Sequence, residues 1–447
     1  MALENVRTLE LQDSSFFRSI SHPNMSPYQP RIAIVGAGPA GLTVGILLHK
    51  HNIPFTIFEL RSKPTDEDLA KPVGMLDLHE ESGLAALKEC GLLDKFRSHT
   101  TVCTEFQIIA NKEGHIIHTD EGGHDTRPEI SRNSLTKLLL DQLPAETIKW
   151  EHKLTSARHL PTTSGMGKVE LDFGANGKHT FDLVVGSDGT WSRVRRLLTD
   201  TKPKYAGFHY LMLAIREVTK RYPHIAEYVG TGSFTSLGHR HGIMSQRALQ
   251  DSALIYVFLT TPDESFGTTS GLSSGTPTEA KEKLLLDDDL LGQFGPKLKG
   301  LVQACCDEEA NDNPGAKLMV RPLYMLPFDQ RWEHKPGATI IGDASHVMLP
   351  FAGEGVNLAM WDALDLSRAI IKAFETAPQD ATSFQKALDP LVKEFESNMA
   401  ERAREKAEES YENSQLMMGS EDGATAMAKW MKTAIEQQAA NVNGCAA

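Results

Sequence analysis

Cysteine is scarce in this chain. Five are spread over 447 residues, at Cys90, Cys103, Cys305, Cys306 and Cys445. The number is odd and no CxxC pair occurs, which argues against a disulfide scaffold and a structural zinc site and points to a reducing, intracellular compartment. Basic charge is also short. Lys and Arg total 46 against 59 Asp and Glu, a net charge of −13 with no basic block. That argues against nucleic acid or an anionic membrane as the main partner, while leaving room for a local basic pocket. Long apolar runs are missing too. The uncharged stretch at residues 32–48, IAIVGAGPAGLTVGILL, is 17 residues long and carries four glycines and a proline. A membrane helix needs about 20 apolar residues. The first residues, with Arg7 and Asp13, lack the apolar core and cleavage site of a signal peptide, so 1–29 is expected to be a flexible leader and the protein cytoplasmic. No internal repeat and no metal-ligand spacing is visible.

The remaining composition, 40% hydrophobic and 23% charged, is that of an ordinary globular protein of two or three domains. RIAIVG at 31–36 reads as a buried parallel strand, 41–50 as a helix and FTIFEL at 55–60 as a second strand, together a βαβ unit. Between them lies Gly36-Ala37-Gly38-Pro39-Ala40-Gly41, a GxGxxG turn, and Glu59 ends the second strand. Gly36 permits the tight turn, Gly38 lets backbone approach a pyrophosphate, and Gly41 packs helix against strand. The helix N-terminus favours phosphate, and Glu59 suits ribose hydroxyls. Ala37 and Arg61 are counted with this site. The pattern points to an adenine dinucleotide without choosing between FAD and NAD, and the acid at Glu59 disfavours a 2′-phosphate there.

Two further segments follow strands. One is GSDGTWSRVR at 186–195. The other is GDASHVMLPFAGEGVN at 342–357, which precedes a helical stretch at 356–373. With the glycine turn, these resemble the three signatures of class A flavoprotein monooxygenases, the p-hydroxybenzoate hydroxylase family. The segments GMLDLH at 74–79, GLAALKECGLL at 83–93 and PEISRN at 128–133 are similar to the tetracycline-inactivating flavin monooxygenases within it.

The resemblance implies an α/β Rossmann-type FAD domain carrying an inserted, mostly antiparallel sheet domain and a C-terminal helix. The expected boundaries are FAD segments at 30–204 (with some sheet insertions) and 321–375, a substrate domain at 205–320 and a helical region at 376–447. It implies FAD contacts at Asp77, Arg132 and Asp343, with Gly74 in the same site. Asp188 is linked to both nucleotides, although a helix cap is an equally good reading and compatible with it. Gly353 and Gly355 leave room for the flavin ring, and the helix start near Val356 suits negative charge on the reduced flavin.

By the same resemblance, NADPH or NADH binds transiently, since Gly230-Thr231-Gly232 lacks the setting of a second fingerprint. O2 then forms a flavin C4a-hydroperoxide that hydroxylates an aromatic or polycyclic small molecule. No side-chain catalytic residue is required, and the enzyme is expected to be a monomer or homodimer. Lys71 is a candidate for NADPH phosphates. His239 and His241, on one face of an expected strand, are candidate substrate contacts or a solvated face. His346 is read as structural rather than as a base.

The stretch AKPVG at 70–74 departs from the arginine–alanine pair of many aromatic hydroxylases, and Met212 and Leu213 stand where a polar substrate contact is expected. The five tryptophans are never two apart, which disfavours a halogenase. An oxidase or dehydrogenase without oxygen insertion, and a non-catalytic flavin binder, remain as alternatives. The stripe Met427, Trp430, Met431, Ala434 and Ile435 is expected to dock a last helix onto the chain or to form a dimer contact. Residues 265–278 are expected to form a loop.

Overall fold

The computed structural model describes residues 28–444, apart from 101–105, 123–127, 162–166, 314, 316 and 377–379. Expectations for residues 1–27, Cys103 and Cys445 fall outside the described residues. Tyr28, assigned to the leader, is tied down: its hydroxyl donates to Asp182 Oδ2 at 2.7 Å and its ring packs on Phe384.

Among the described residues, five parallel strands form the nucleotide sheet, in the order Ala338–Ile340, Leu183–Gly186, Ile32–Val35, Phe55–Phe58 and Ile148–Lys149. Ile32, Ala33 and Ile34 are fully enclosed because helices or a second sheet cover both faces. One face packs on helix α1 (Pro39–Lys50), α2 (Arg132–Leu140), α3 (Gly355–Thr376) and α4 (Ala381–Met418). The other packs on a three-stranded antiparallel sheet of Ser156–Leu160, Lys168–Asp172 and Lys178–Phe181.

A seven-stranded sheet stands apart from this one, in the order Arg321–Met325, Lys204–Ile215, Ser252–Thr260, His241–Ala248, Ser233–Gly238, Gln107–Asn111 and Ile116–Asp120. All its pairings are antiparallel except that of Ser233–Gly238 with Gln107–Asn111. Side chains alternate along each strand. Leu211, Leu213, Ile243, Ile255, Val257 and Leu259 make one face and bury against helices Pro277–Leu286 and Pro296–Asp312. Tyr210, Met244, Tyr256 and Phe258 make the other, toward Leu349 and Phe351 of the third motif.

Several elements differ from expectation. The strand Arg321–Met325, expected in the second FAD segment, pairs with Lys204–Ile215 at the edge of the seven-stranded sheet. The stretch 265–278 is not a plain loop: it holds a helical turn at Phe266–Thr269, and Pro277 opens a helix whose Thr276 and Glu279 cap each other reciprocally. The same device, Thr65 with Asp68, folds Asp66–Ala70 into a short helix. The C-terminus is two helices, α4 and α5 (Gly423–Gly444). In α5, Ala424, Ala428 and Met431 are buried, with Met427 packed alongside, whereas Trp430 is 49% and Ile435 41% exposed. The expected docking stripe is therefore rotated toward the small residues. No described helix is long and apolar enough to cross a membrane.

Candidate active site

The glycine turn follows strand Ile32–Val35 and opens α1. Gly36 has φ +110°, and a Cβ there would overlap the Ser187 carbonyl oxygen. A Cβ at Gly41 would overlap the Gly36 carbonyl oxygen and the Ser187 hydroxyl, so this glycine closes the helix onto the turn itself rather than onto the strand. A Cβ at Gly38 would meet nothing within 4 Å, leaving open backbone at the helix start. Ser187 Oγ lies 3.0 Å from Val35 O and 2.9 Å from Gly36 O, its two acceptors, and fastens the second motif to the first.

Glu59 is buried. Its carboxylate accepts from the amides of Ala37 (2.8 Å) and Arg61 (3.0 Å) and from Arg61 Nε (2.9 Å). Burial works to raise its pKa, but these donors outweigh it and hold the group below the usual carboxylate range. Glu59 thus pins the glycine turn at Ala37.

In the second motif, Asp188 accepts from Ser192 Oγ (2.5 Å) and the amides of Arg193 (2.7 Å) and Val194 (3.2 Å). The cap reading describes its geometry. Burial pushes its pKa up against those hydrogen bonds. Arg195 went unrecognised from sequence. It is buried, donates through Nε to Ala344 O (2.7 Å) and through Nη2 to Thr190 O (2.8 Å) and Asp343 O (3.2 Å), and so clamps the third motif to the second. Its spacing within SRVRR resembles any surface basic pair, so only the fold distinguishes it.

Asp343, by contrast, is exposed, and its carboxylate has no hydrogen-bond partner among the described residues. A Cβ at Gly342, just before it, would lie 3.8 Å from that of Ala40, which sets the third motif beside the glycine turn.

Past the 3-10 turn Pro350–Ala352, Gly353 takes φ +70° and packs against Asp77: a Cβ there would sit 3.3 Å from Asp77 Oδ1. Helix α3 starts at Gly355, where a Cβ would meet nothing within 4 Å, and the first-turn amides around Val356 have no intrahelical partner. Asp77 ends strand Met75–Asp77, which pairs with Glu129–Ser131 and brings Arg132 alongside; the Arg132 amide donates to Gly74 O at 3.0 Å.

His79 lies between two carboxylates, with Nε2 3.0 Å from Asp77 Oδ2 and Nδ1 3.4 Å from Glu354 Oε2. The Asp77 and then the Glu354 hydrogen bond raise its pKa to about 9, against opposing burial, so it is a cation at neutral pH. Asn357 completes the knot: its Oδ1 accepts from the His79 amide (2.9 Å) and its Nδ2 donates to Asp77 O (2.9 Å).

Facing this motif cleft is the sheet's aromatic wall. Tyr210 and Tyr256 flank Phe258, at ring-centroid distances of 6.0 and 6.3 Å, and Phe258 meets Phe351 at 5.1 Å. A Cβ at Gly74 would lie 2.9 Å from the Tyr256 hydroxyl, so the wall also touches the backbone just before strand Met75–Asp77. Met212 is on this face, paired with Tyr256; Leu213 points into the opposite core.

Some expected site residues lie elsewhere. His239 and Arg240 form the turn of a hairpin, at φ +48° and +60°, so strand alternation does not apply to them. His239 Nδ1 is 3.1 Å from Glu421, beside the start of α5. His241 is buried and its ring is satisfied on both sides, accepting from the Thr260 amide at Nδ1 (3.1 Å) and donating from Nε2 to Asp289 O (2.9 Å). Both rings are held by partners within the chain. Lys71 is exposed and ion-paired to Asp68 at 2.8 Å. His346 Nε2 contacts Asp362 Oδ2 at 2.6 Å, which also accepts from the Gly342 amide, in keeping with a structural role. No group of residues among those described could hold a metal ion.

The open glycine turn, the partnerless Asp343 carboxylate and the bare start of α3 fit a dinucleotide laid across three motifs. The known-protein comparisons agree. Residues 30–264 and 330–384 match the model of the FAD binding domain. The chain belongs to that family. Monooxygenase penA of Penicillium thymicola is 33% identical over 425 residues, covering 88% of this chain and 96% of that protein. Klebsiella pneumoniae HpxO, solved with FAD and uric acid, superimposes with a TM-score of 0.67 at 15% identity, over 90% of this chain and 92% of that one. The tetracycline destructase Tet(51) does so at 0.56 and 17%, over 87% and 98%. The two structures share the fold. The protein is thus an FAD-dependent monooxygenase with the class A architecture.

Proposed function

We propose that the enzyme consumes NADPH or NADH and O2 to insert one oxygen atom into a planar aromatic or polycyclic small molecule, a secondary metabolite or a tetracycline-like compound. The observation that carries this reading is the aromatic wall Tyr210–Phe258–Tyr256 meeting Phe351 of the flavin loop. Flat rings stack on such a surface in offset or edge-on contact, each pair worth about 0.5–1.5 kcal/mol beyond area burial. The relatives are compatible with it: a monooxygenase at 33% identity, a fold solved with uric acid and a tetracycline destructase.

Bound FAD would accept a hydride from the nicotinamide and deliver activated oxygen to the substrate. The chain's part is to bind, orient and keep water out. Gly38 and the start of α1 would receive the pyrophosphate, with Glu59 and Asp343 accepting sugar hydroxyls. Arg132 presents an exposed guanidinium near Tyr256 and Gly74. The amides at Gly355 and Val356 would stabilise negative charge on the reduced ring. The apolar wall excludes water from the reacting face. Lys71 is the proposed partner of the NADPH phosphates, in competition with Asp68. We place the enzyme in the cytoplasm, as a monomer or homodimer.

The test is product mass after incubating FAD-loaded protein with NADPH, air and a panel of tetracyclines, polycyclic phenols and quinones. A gain of one oxygen atom, dependent on enzyme and NADPH, is the expected result. Hydrogen peroxide with no oxygenated product across the panel would replace this reading with that of an oxidase.

A further inference from the structure

The loop from Leu349 to Gly355 carries Phe351 of the aromatic wall and is held on one side by Asp77, His79 and Asn357. Its other support comes from α4, nearly all of which lies beyond the residues matched by the family model. Lys406, Ser410 and Asn413 recur at helical spacing on one side of α4. Lys406 Nζ pairs with Glu354 Oε1 at 2.9 Å, Ser410 Oγ donates to Leu349 O at 2.6 Å, and Asn413 Nδ2 donates to Phe351 O at 3.1 Å. One turn earlier, Arg402 pairs with Asp365 of α3 at 3.0 Å, and one turn later Met417 joins the cluster around Phe351. Glu354 passes the contact on through His79 to Asp77.

We infer that Lys406, Ser410 and Asn413 are positioning residues that set where the flavin loop sits between the flavin and the substrate wall. The inference rests on the monooxygenase reading above. Both Ser410 and Leu349 are buried, so their hydrogen bond has no water to replace it, and the loop has no second donor at Leu349 O among the described contacts. The glycine turn Gly36–Gly41 follows the central strand of the parallel sheet and takes part in none of these hydrogen bonds and ion pairs. Loosening the seam therefore alters the setting of the flavin ring more than it alters the affinity for FAD.

The test is the double substitution Ser410→Ala with Asn413→Ala in the full-length holoenzyme, with Glu408→Gln, on the exposed Arg404 pair, as control. Four quantities are read: FAD dissociation constant, visible-region circular dichroism of the bound flavin, peroxide formed per NADPH consumed, and melting temperature. The expected result is an FAD constant within about threefold of the parent, a changed flavin dichroism band and at least a threefold rise in peroxide per NADPH, all absent from the control. Parent-like dichroism and coupling in the double variant, even with a lowered melting temperature, would overturn the inference and leave the seam a helix-docking contact. If that variant does not fold, Lys406→Met is read the same way. Should the parent make only peroxide and no oxygenated product, the monooxygenation reading falls, and the dichroism comparison alone decides the seam.

Discussion

The two large sheets bury their strands for different reasons. In the parallel sheet, the ends of the strands feed glycine turns whose backbone leaves no room for a side chain: Gly36 faces the Ser187 carbonyl and Gly41 faces Gly36. In the seven-stranded sheet the backbone is undemanding, and function depends on which side of the strand a residue falls. Tyr256 and Phe258 look toward the flavin loop, while Ile255, Val257 and Leu259 look into a helix-covered core. The comparison teaches that one half of the site is specified by backbone sterics at a few fixed positions and the other by parity along several strands.

The most damaging way to test this contrast is Gly36→Ala. Left-handed strain plus overlap with Ser187 should cost about 4 kcal/mol, with purified protein free of FAD and yellow colour. Retention of flavin with an unchanged melting temperature would show that the turn is not sterically closed.

A pair of substitutions of opposite parity on the one strand Ser252–Thr260 should then separate the two sides of the seven-stranded sheet. Leu259→Ala, in the core, should lose about 3 kcal/mol in denaturant unfolding and leave substrate KM alone. Tyr256→Leu, which takes an aromatic ring out of the wall, should cost less than about 1.5 kcal/mol of stability yet lower kcat/KM for substrate about tenfold, with NADPH-driven flavin reduction intact. The reverse outcome would mean that the wall is not the substrate face.

The smallest effect concerns the joint between the halves. The pKa of His79 is raised from its ordinary value to about 9 by Asp77 and Glu354. A raised pKa contributes stability that is fully present below the unfolded value and is lost as pH rises through the folded one. The difference in melting temperature between parent and His79→Gln should therefore be steady below about pH 6.5, shrink as pH climbs from there to about 9, and level off above that. A difference that does not change with pH would mean that His79 is held neutral.

Much of the nucleotide half was legible because each motif places a rare backbone requirement beside a recognisable residue. Gly36 read as a tight turn and takes φ +110°, whereas the closure of Gly41 onto that turn and the hold of Glu59 on Ala37 needed coordinates. Asp188 resolved into its cap role, and Asp343 stayed without a protein partner. The histidines misled. HRH at 239–241 carries no mark of a hairpin, and only the positive φ values at His239 and Arg240 and the two ring contacts of His241 show why polar residues stand there. Arg195 and Lys406 were missed because a long cation's partner is chosen by distant backbone, at Ala344, Asp343 and Glu354, not by its neighbours in sequence.

The sequence by itself determined the βαβ start, the three motifs, the dinucleotide class and the alternation that makes a half-buried sheet, since all of these are local rules of sterics, capping and period. Tertiary structure alone decided which parity faces the flavin loop, that Arg321–Met325 edges the substrate sheet, and that a C-terminal helix fastens the loop at Leu349, Phe351 and Glu354. Those outcomes depend on hydrogen bonds and contacts between segments 50 to 280 residues apart, whose partners are set by packing of the whole chain.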